Sequence, residues 1–179
     1  MRDTLHYHVL MNALLRALRL LSMVVWVGGL IFFSFVEAPA AFHVMGTTRQ
    51  FAQLIGGSIF ALNQLGHASG LVFIVASLLL WRPSSVRTRK LLRAQVLLVV
   101  LMMAATIYVQ RAIIPAMEHD RASAGGDIAA VPATSPARAD FDRLHGLSEK
   151  VEGSALFLGL ATVMLMAVEV TDTRATQRV

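Results

Sequence analysis

The 179-residue chain is too apolar for an ordinary soluble domain, because 56% of its residues are hydrophobic and only 15% are charged. Soluble proteins have about half and about a quarter. The mean hydropathy is +0.63. The sequence has no cysteine, which excludes disulfides, thiolate metal ligands and thiol catalysis. The net charge of +5 does not indicate nucleic-acid binding, because the basic residues flank apolar runs, where they set membrane topology.

Four apolar runs are each long enough to cross a hydrocarbon core of ~30 Å, which takes about 20 residues. They predict one all-α domain over residues 1–179, an integral membrane four-helix bundle. The predicted helices cover residues 14–36, 55–81, 91–114 and 141–170. A stretch rich in Ala, Ser, Gly and Pro near residues 117–139 is predicted to be a flexible external loop.

The first apolar run is predicted to be a retained helix and not a cleaved signal peptide. Its stretch from Leu20 to Val36 is longer than a signal-peptide h-region, and further spans follow it. Arg16 and Arg19 lie near its start and are expected to reach the lipid headgroups with their long side chains. Pro39 is expected to end the helix, since proline lacks an N–H donor and restricts the preceding residue.

The charges divide unevenly between the two ends of the predicted bundle. The N-terminus, the basic loop at residues 82–93 and the C-terminal tail hold ten Lys/Arg and three acids, whereas the other connections hold six and eight. By the positive-inside rule both termini are expected in the cytoplasm. The predicted location is the cell membrane, as a multi-pass protein of the bacterial inner-membrane type.

Polar residues inside the predicted spans indicate where a site would lie. Four of them follow the spacing i, i+3, i+4, i+7 at the start of the fourth helix, which places them on one face. Two more lie on a polar stripe of the second helix. Ionisable groups in a span are expensive in lipid and are expected to face other helices or a bound partner. The predicted pocket, open to the external side, comprises Asn63, His67, His145, Ser148, Glu149 and Glu152.

Three further residues are secondary candidates for the same site. Glu37 lies at the exit of the first helix, and Arg111 near the external end of the third helix could neutralise a carboxylate there. Trp26 lies beside Gly28 and Gly29 on the first helix. It is expected either to fill a packing groove between helices or to stack on a ligand.

Two similar fragments follow the first and third helices: Pro39-Ala-Ala-Phe-His43 and Pro115-Ala-Met-Glu-His119. Both helices are predicted to run in the same direction. The match is explained either by a parallel duplication of a two-helix unit or by chance.

Two segments of the sequence are distinctive when taken together. The first is Trp26-Val-Gly-Gly-Leu-Ile-Phe-Phe-Ser-Phe-Val-Glu-Ala-Pro39-Ala-Ala-Phe42, and the second is Phe141-x-x-Leu-His145-x-x-Ser148. Together they resemble the transmembrane-protein-205-like family of small four-helix membrane proteins of unknown function. The resemblance implies the four-helix architecture and no activity. The sequence has Glu152 where many relatives carry Asn, so no role of that Asn is transferred.

Three functions are compatible with these residues. The first is a small transporter or an accessory subunit of one, with Glu152 or His67 taking up a proton or cation. The second is a metal- or haem-binding protein with His145, Glu149, Glu152, Glu37 and His43 at the external end. The third is a non-catalytic structural component of the membrane.

An enzymatic activity is left open and is not favoured. Hydrolysis of the soluble type is poorly supported, because the sequence has no Gly-x-Ser-x-Gly, P-loop, Gly-x-Gly-x-x-Gly or His-Glu-x-x-His motif. The sequence specifies no cofactor. The expected partners are the lipid bilayer and other membrane subunits, including copies of the chain itself, and not nucleic acid.

Overall fold

A computed structural model describes residues 2–46, 48–81 and 84–176, and the regular elements in these ranges are all helical. Four continuous helical spans are long and apolar enough to cross a membrane, as the sequence predicted. Their segments are α1 (Arg2–Phe32), α2 (Ala38–Met45), α3 (Arg49–Trp81), α4 (Val86–Tyr108), α5 (Ile114–Ser123) and α6 (Pro136–Thr176). The π-helical turn Phe33–Glu37 joins α1 to α2, and the turn Val109–Ile113 joins α4 to α5.

The four spans form an antiparallel bundle. The helix α1 packs against α3, and α4 packs against α6; the two pairs meet where α3 contacts α4 and α1 contacts α6. One end of the bundle carries the start of α1, the α3–α4 connection and the end of α6, and we call it the termini end. The opposite end carries the α2–α3 turn and the connection between α5 and α6, and we call it the loop end.

The expectation that Pro39 ends the first helix is wrong, because the chain stays helical through it to Met45. The π-helical turn just before it explains the tolerance: the Ala38 N–H bonds to the Phe33 carbonyl, one residue further back than in an α-helix. This wider turn gives the proline ring room against the preceding carbonyls. The helix instead ends at Gly46, whose φ of 61° is readily adopted by glycine.

The predicted loop at residues 117–139 is largely helical. The helix α5 runs to Ser123, a 3₁₀ turn covers Ile128–Ala130, and α6 begins at Pro136. Side chains tie this connection to α6: the Arg138 guanidinium donates to the Ile128 carbonyl at 2.9 Å and also bonds Asp142. The irregular stretches between these elements are therefore only a few residues long.

An apolar core fills the middle of the bundle, and large apolar side chains also cover its outside. The core comprises Met23, Trp26, Val27, Leu30, Phe73, Val99 and Met102. Outside, Phe35 is 70% exposed and Phe157 is 73% exposed. Soluble monomers rarely expose such continuous apolar surface, whereas lipid-facing helices require it.

The two helix pairs repeat each other. In both, a π-helical turn comes two residues before a proline, Pro39 in one and Pro115 in the other. Arg19 and Gln95 are 76 positions apart, the same separation as these prolines. When α1 is shifted by this separation onto α4, every buried position on either helix meets a buried or half-buried counterpart.

The second helices of the two pairs match in the same way. Asn63 and Glu152 are 89 positions apart, and this shift superimposes the buried positions of α3 on buried or half-buried positions of α6. It also aligns Gly70 with Gly159. We call residues related by these two shifts counterparts.

The packing around these two glycines shows that the halves are related by a pseudo-two-fold axis. A Cβ added at Gly70 would lie 2.8 Å from Trp26 and 3.1 Å from Met103. A Cβ added at Gly159 would lie 2.6 Å from Val27 and 3.0 Å from Met102, the counterparts of those same two residues. Arg19 bonds its counterpart Gln95, and Asn63 bonds its counterpart Glu152. Counterparts in contact with each other must flank the axis, so both polar pairs lie on it.

Candidate functional site

Five polar or aromatic side chains from four helices, three buried and two half-buried, lie between the middle of the bundle and its loop end; we call them the Glu152 cluster. Its members are Trp26 of α1, Asn63 and His67 of α3, Thr106 of α4 and Glu152 of α6. Three of them, Trp26, Asn63 and Thr106, are 0% exposed.

Trp26 is held by two glycines of α3. A Cβ at Gly66 would lie 2.6 Å from the indole Cε2, and one at Gly70 would lie 2.8 Å from Cζ3. The indole therefore fits only because both positions lack a side chain, as in other close helix contacts in membranes. Its edge faces His67, with ring centroids 6.4 Å apart at 74°. The carbon atoms of the Trp26 ring thus fill a packing groove between helices. The indole Nε1, however, is buried with no hydrogen-bond partner.

Asn63 and Glu152 meet on the pseudo-two-fold axis. The Asn63 Nδ2 donates to the Glu152 Oε1 at 3.2 Å. The other oxygen of each group, Asn63 Oδ1 and Glu152 Oε2, is buried without a partner. Buried polar atoms almost always have a partner, and those that do not often mark a bound water, an ion or a functional group. Together with the Trp26 Nε1, the cluster has one free donor and two free acceptors.

His67 connects this group to α4. Its Nε2 lies 2.9 Å from the Thr106 Oγ1, and Thr106 is within hydrogen-bond distance of the Met102 and Met103 carbonyls, at 3.1 and 3.2 Å. These contacts join the His67 imidazole to the backbone of α4 through the Thr106 hydroxyl.

The remaining predicted pocket residues lie closer to the loop end and on the surface. The His145 Nε2 is 3.3 Å from Glu149, and these side chains are 57% and 68% exposed. The Ser148 hydroxyl donates to the His145 carbonyl at 2.7 Å, within its own helix. The structure brings Asn63 to Glu152 and His67 to Thr106, but among the described residues His145, Ser148 and Glu149 form no hydrogen bond or ion pair with these four.

The secondary candidates Glu37 and Arg111 also lie apart from the Glu152 cluster. Glu37 is half-buried and lines a shallow groove of about 370 Å³ on the outside of the bundle, with α1, α2 and α3 forming its apolar walls. Arg111 is exposed. Among the described residues, neither forms an ion pair with Glu149 or Glu152.

A metal centre at the loop end would need several ligands close together. Among the residues that the structure describes, no group of three or more His, Asp or Glu is placed to hold an ion. The gathering of His145, Glu149, Glu152, Glu37 and His43 expected for the metal hypothesis is therefore not formed there.

A second buried polar group lies toward the termini end, and sequence reasoning missed it. We call Arg19, Gln95 and Glu169 the Glu169 cluster. The Arg19 guanidinium donates to both carboxylate oxygens of Glu169, at 3.1 and 2.9 Å. The Gln95 Nε2 donates to the same carboxylate at 3.2 Å, and the Gln95 carbonyl accepts from Arg19. All three are between 0% and 4% exposed.

The expectation that Arg19 reaches the lipid headgroups is therefore wrong. Its guanidinium lies 5.1 Å from the Phe73 ring centroid, inside the bundle. Glu169 lies within α6. The available signal was the spacing of Ala155, Thr162 and Glu169, which places the carboxylate on the buried face of α6.

Comparison with known proteins identifies the class of protein. Residues 21–124 match the model of a domain of unknown function, DUF4149. The match covers more than half of the chain, so the chain belongs to this family. No curated protein and no solved structure matches the chain. The family description assigns no activity, and a function must be argued from the two buried clusters.

Proposed function

We propose that the chain is a multi-pass protein of the cell membrane, of the bacterial inner-membrane type, with both termini in the cytoplasm. The supports are the four apolar spans and the excess of Lys and Arg at the termini end. Its resemblance to the transmembrane-protein-205-like family, carried by the Trp26–Phe42 segment and the Leu144-His145-x-x-Ser148 element, agrees with this architecture.

We further propose that it acts as a small transporter or as an accessory subunit of one, and that Glu152 binds a proton or a small cation. The observation that carries the proposal is the Asn63–Glu152 pair, in which each partner keeps a buried oxygen with no hydrogen-bond partner. A carboxyl group inside a span is expensive unless it is used or neutralised. Amide and carboxylate oxygens are also suitable ligands for a hard cation or a proton.

The position of the pair strengthens this assignment. In membrane proteins built from parallel repeats, ion and substrate sites lie at the interface between the repeats. Asn63 belongs to one half and Glu152 to the other, and they meet on the axis. His67 and Thr106 extend the same polar group across that interface.

The alternative is a structural component in which the clusters only hold the helices together. It is favoured by the hydrogen bonds that each cluster makes across the bundle. Purified protein in proteoliposomes separates the two, with fluxes of protons and of monovalent and divalent cations measured separately.

We expect a flux above that of empty liposomes, and we expect Glu152→Gln to reduce it to the background. The matched control is Glu149→Gln, three residues earlier on the same helix, where the side chain is 68% exposed; this variant should keep the flux. Equal fluxes in Glu152→Gln and in the parent protein would refute the role of Glu152. A parent protein with no flux would leave the structural alternative.

A further inference from the structure

The Glu169 cluster is an ion pair that is almost completely buried, although holding helices together does not require a buried charge. Moving a charged pair out of water costs several kcal/mol per ion, which a well-packed apolar pair avoids. Arg19 and Glu169 are nevertheless 1% and 4% exposed. The Arg19 Nε is also buried with no partner, so the guanidinium is not fully satisfied where it lies.

The carboxylates of the two clusters, Glu152 and Glu169, lie toward opposite edges of the span. They are separated by about 25 Å along α6 at 1.5 Å per residue, close to the ~30 Å of a hydrocarbon core. The bundle interior next to the Glu169 cluster is filled by Met23, Phe73 and Val99, each 0% exposed. A proton or cation leaving Glu152 toward the termini end would have to pass this apolar layer and then the Glu169 cluster.

The cluster also joins the two halves toward the termini end. Arg19 belongs to the first half, whereas Gln95 and Glu169 belong to the second. The Arg19 guanidinium lies beside the Glu169 carboxylate and the Gln95 carbonyl oxygen, where a bound cation would lie. It therefore blocks passage along the pseudo-two-fold axis at this end.

We propose that Arg19, Gln95 and Glu169 form a gate at the termini end of the path that Glu152 serves. It is a second carboxylate site for the same proton or cation, and in this structure the chain's own guanidinium fills it. Separation of Arg19 from Glu169 releases the carboxylate and parts the two halves at that end. This gate rests on the transport function proposed above, but its opening is measured without any flux.

Opening of the gate can be measured by thiol labelling. The sequence has no cysteine, so one introduced thiol is the only one in the chain. We would introduce Val99→Cys, which is 0% exposed and lies one turn beyond Gln95 in the apolar layer. A membrane-impermeant cationic thiol reagent is added from the termini end. The parent and Arg19→Gln/Glu169→Gln backgrounds are compared, because neutralising both residues avoids leaving either of them charged without the other.

We expect the doubly neutral background to react faster by about tenfold, the effect of a shift of about 1.4 kcal/mol in the opening equilibrium. The charge-swapped pair Arg19→Glu/Glu169→Arg should restore slow reaction. The matched control is the exposed pair Arg143 and Asp140, whose neutralisation should leave the rate unchanged. Equal rates in the parent and Arg19→Gln/Glu169→Gln backgrounds would overturn the gate.

If the doubly neutral protein does not fold, Gln95→Leu is used instead. This variant keeps the ion pair and removes only the amide that bonds both partners. Faster labelling supports the gate, and an unchanged rate overturns it. The outcome is independent of the flux assay: a flux unaffected by Glu152→Gln refutes the proposed function, whereas the labelling rate decides the gate.

Discussion

Gly66 offers a sharp test of how Trp26 is held, because a single methyl group would occupy the indole's position. In Gly66→Ala the new Cβ would lie 2.6 Å from the Trp26 Cε2. Trp26 has little freedom to move, since its other edge lies against Gly70 and it is 0% exposed. Overpacking of this kind costs about 1–3 kcal/mol, whereas alanine gains ~0.5–1 kcal/mol over glycine in a helix. The expected net loss of stability is about 0–2.5 kcal/mol.

The matched control is Gly28→Ala on α1, where no atom lies within 4 Å of the added Cβ. This variant should have only the helix-forming gain and become more stable by ~0.5–1 kcal/mol. Reversible unfolding in mixed detergent micelles measures both variants. The reasoning is refuted if Gly66→Ala is as stable as Gly28→Ala, because the indole would then not be confined by the glycine.

Three more outcomes are expected. Asn63→Leu should cost about 1–3 kcal/mol by leaving Glu152 without its donor, and Asn63→Leu/Glu152→Leu should cost less than the sum of the single variants; additive values in a double-mutant cycle would contradict their coupling. Thr106→Val should destabilise by about 1 kcal/mol, since the hydrogen bond between His67 and the Thr106 hydroxyl is lost; unchanged unfolding would argue against a contribution of that hydrogen bond. A reporter fused after Arg87 should be cytoplasmic, and its appearance on the opposite side would reverse the proposed orientation.

The architecture was accessible from the sequence because each span is encoded locally. A run of about 20 apolar residues can only be a helix in a bilayer, and the four spans are confirmed. The prediction that Pro39 ends the first helix was wrong, because it considered only the proline and the residue before it. The π-helical turn that accommodates the proline depends on the hydrogen bonding of the five residues before Ala38.

The clusters were only partly accessible, because they depend on which helix faces which. Asn63 and Glu152 were predicted to belong to one pocket from polar spacing within single helices, and they form a hydrogen bond. His145 and Glu149 were predicted for the same pocket because they share a helical face with Glu152. Their side chains are 57% and 68% exposed, since they lie closer to the end of the span. Arg19 and Glu169 are 150 positions apart, and pairing them requires the contact between α1 and α6, which no local pattern contains.

The internal repeat also bears on which residues can meet at the centre of the molecule. If two identical two-helix chains associated about a true two-fold axis, each axial position would carry the same residue twice. Arginine would then face arginine, and glutamate would face glutamate, with like charges buried against each other. A single chain that encodes both halves escapes this constraint. It can place Gln95 opposite Arg19 and Asn63 opposite Glu152, a pairing that a symmetric dimer of one two-helix chain cannot make.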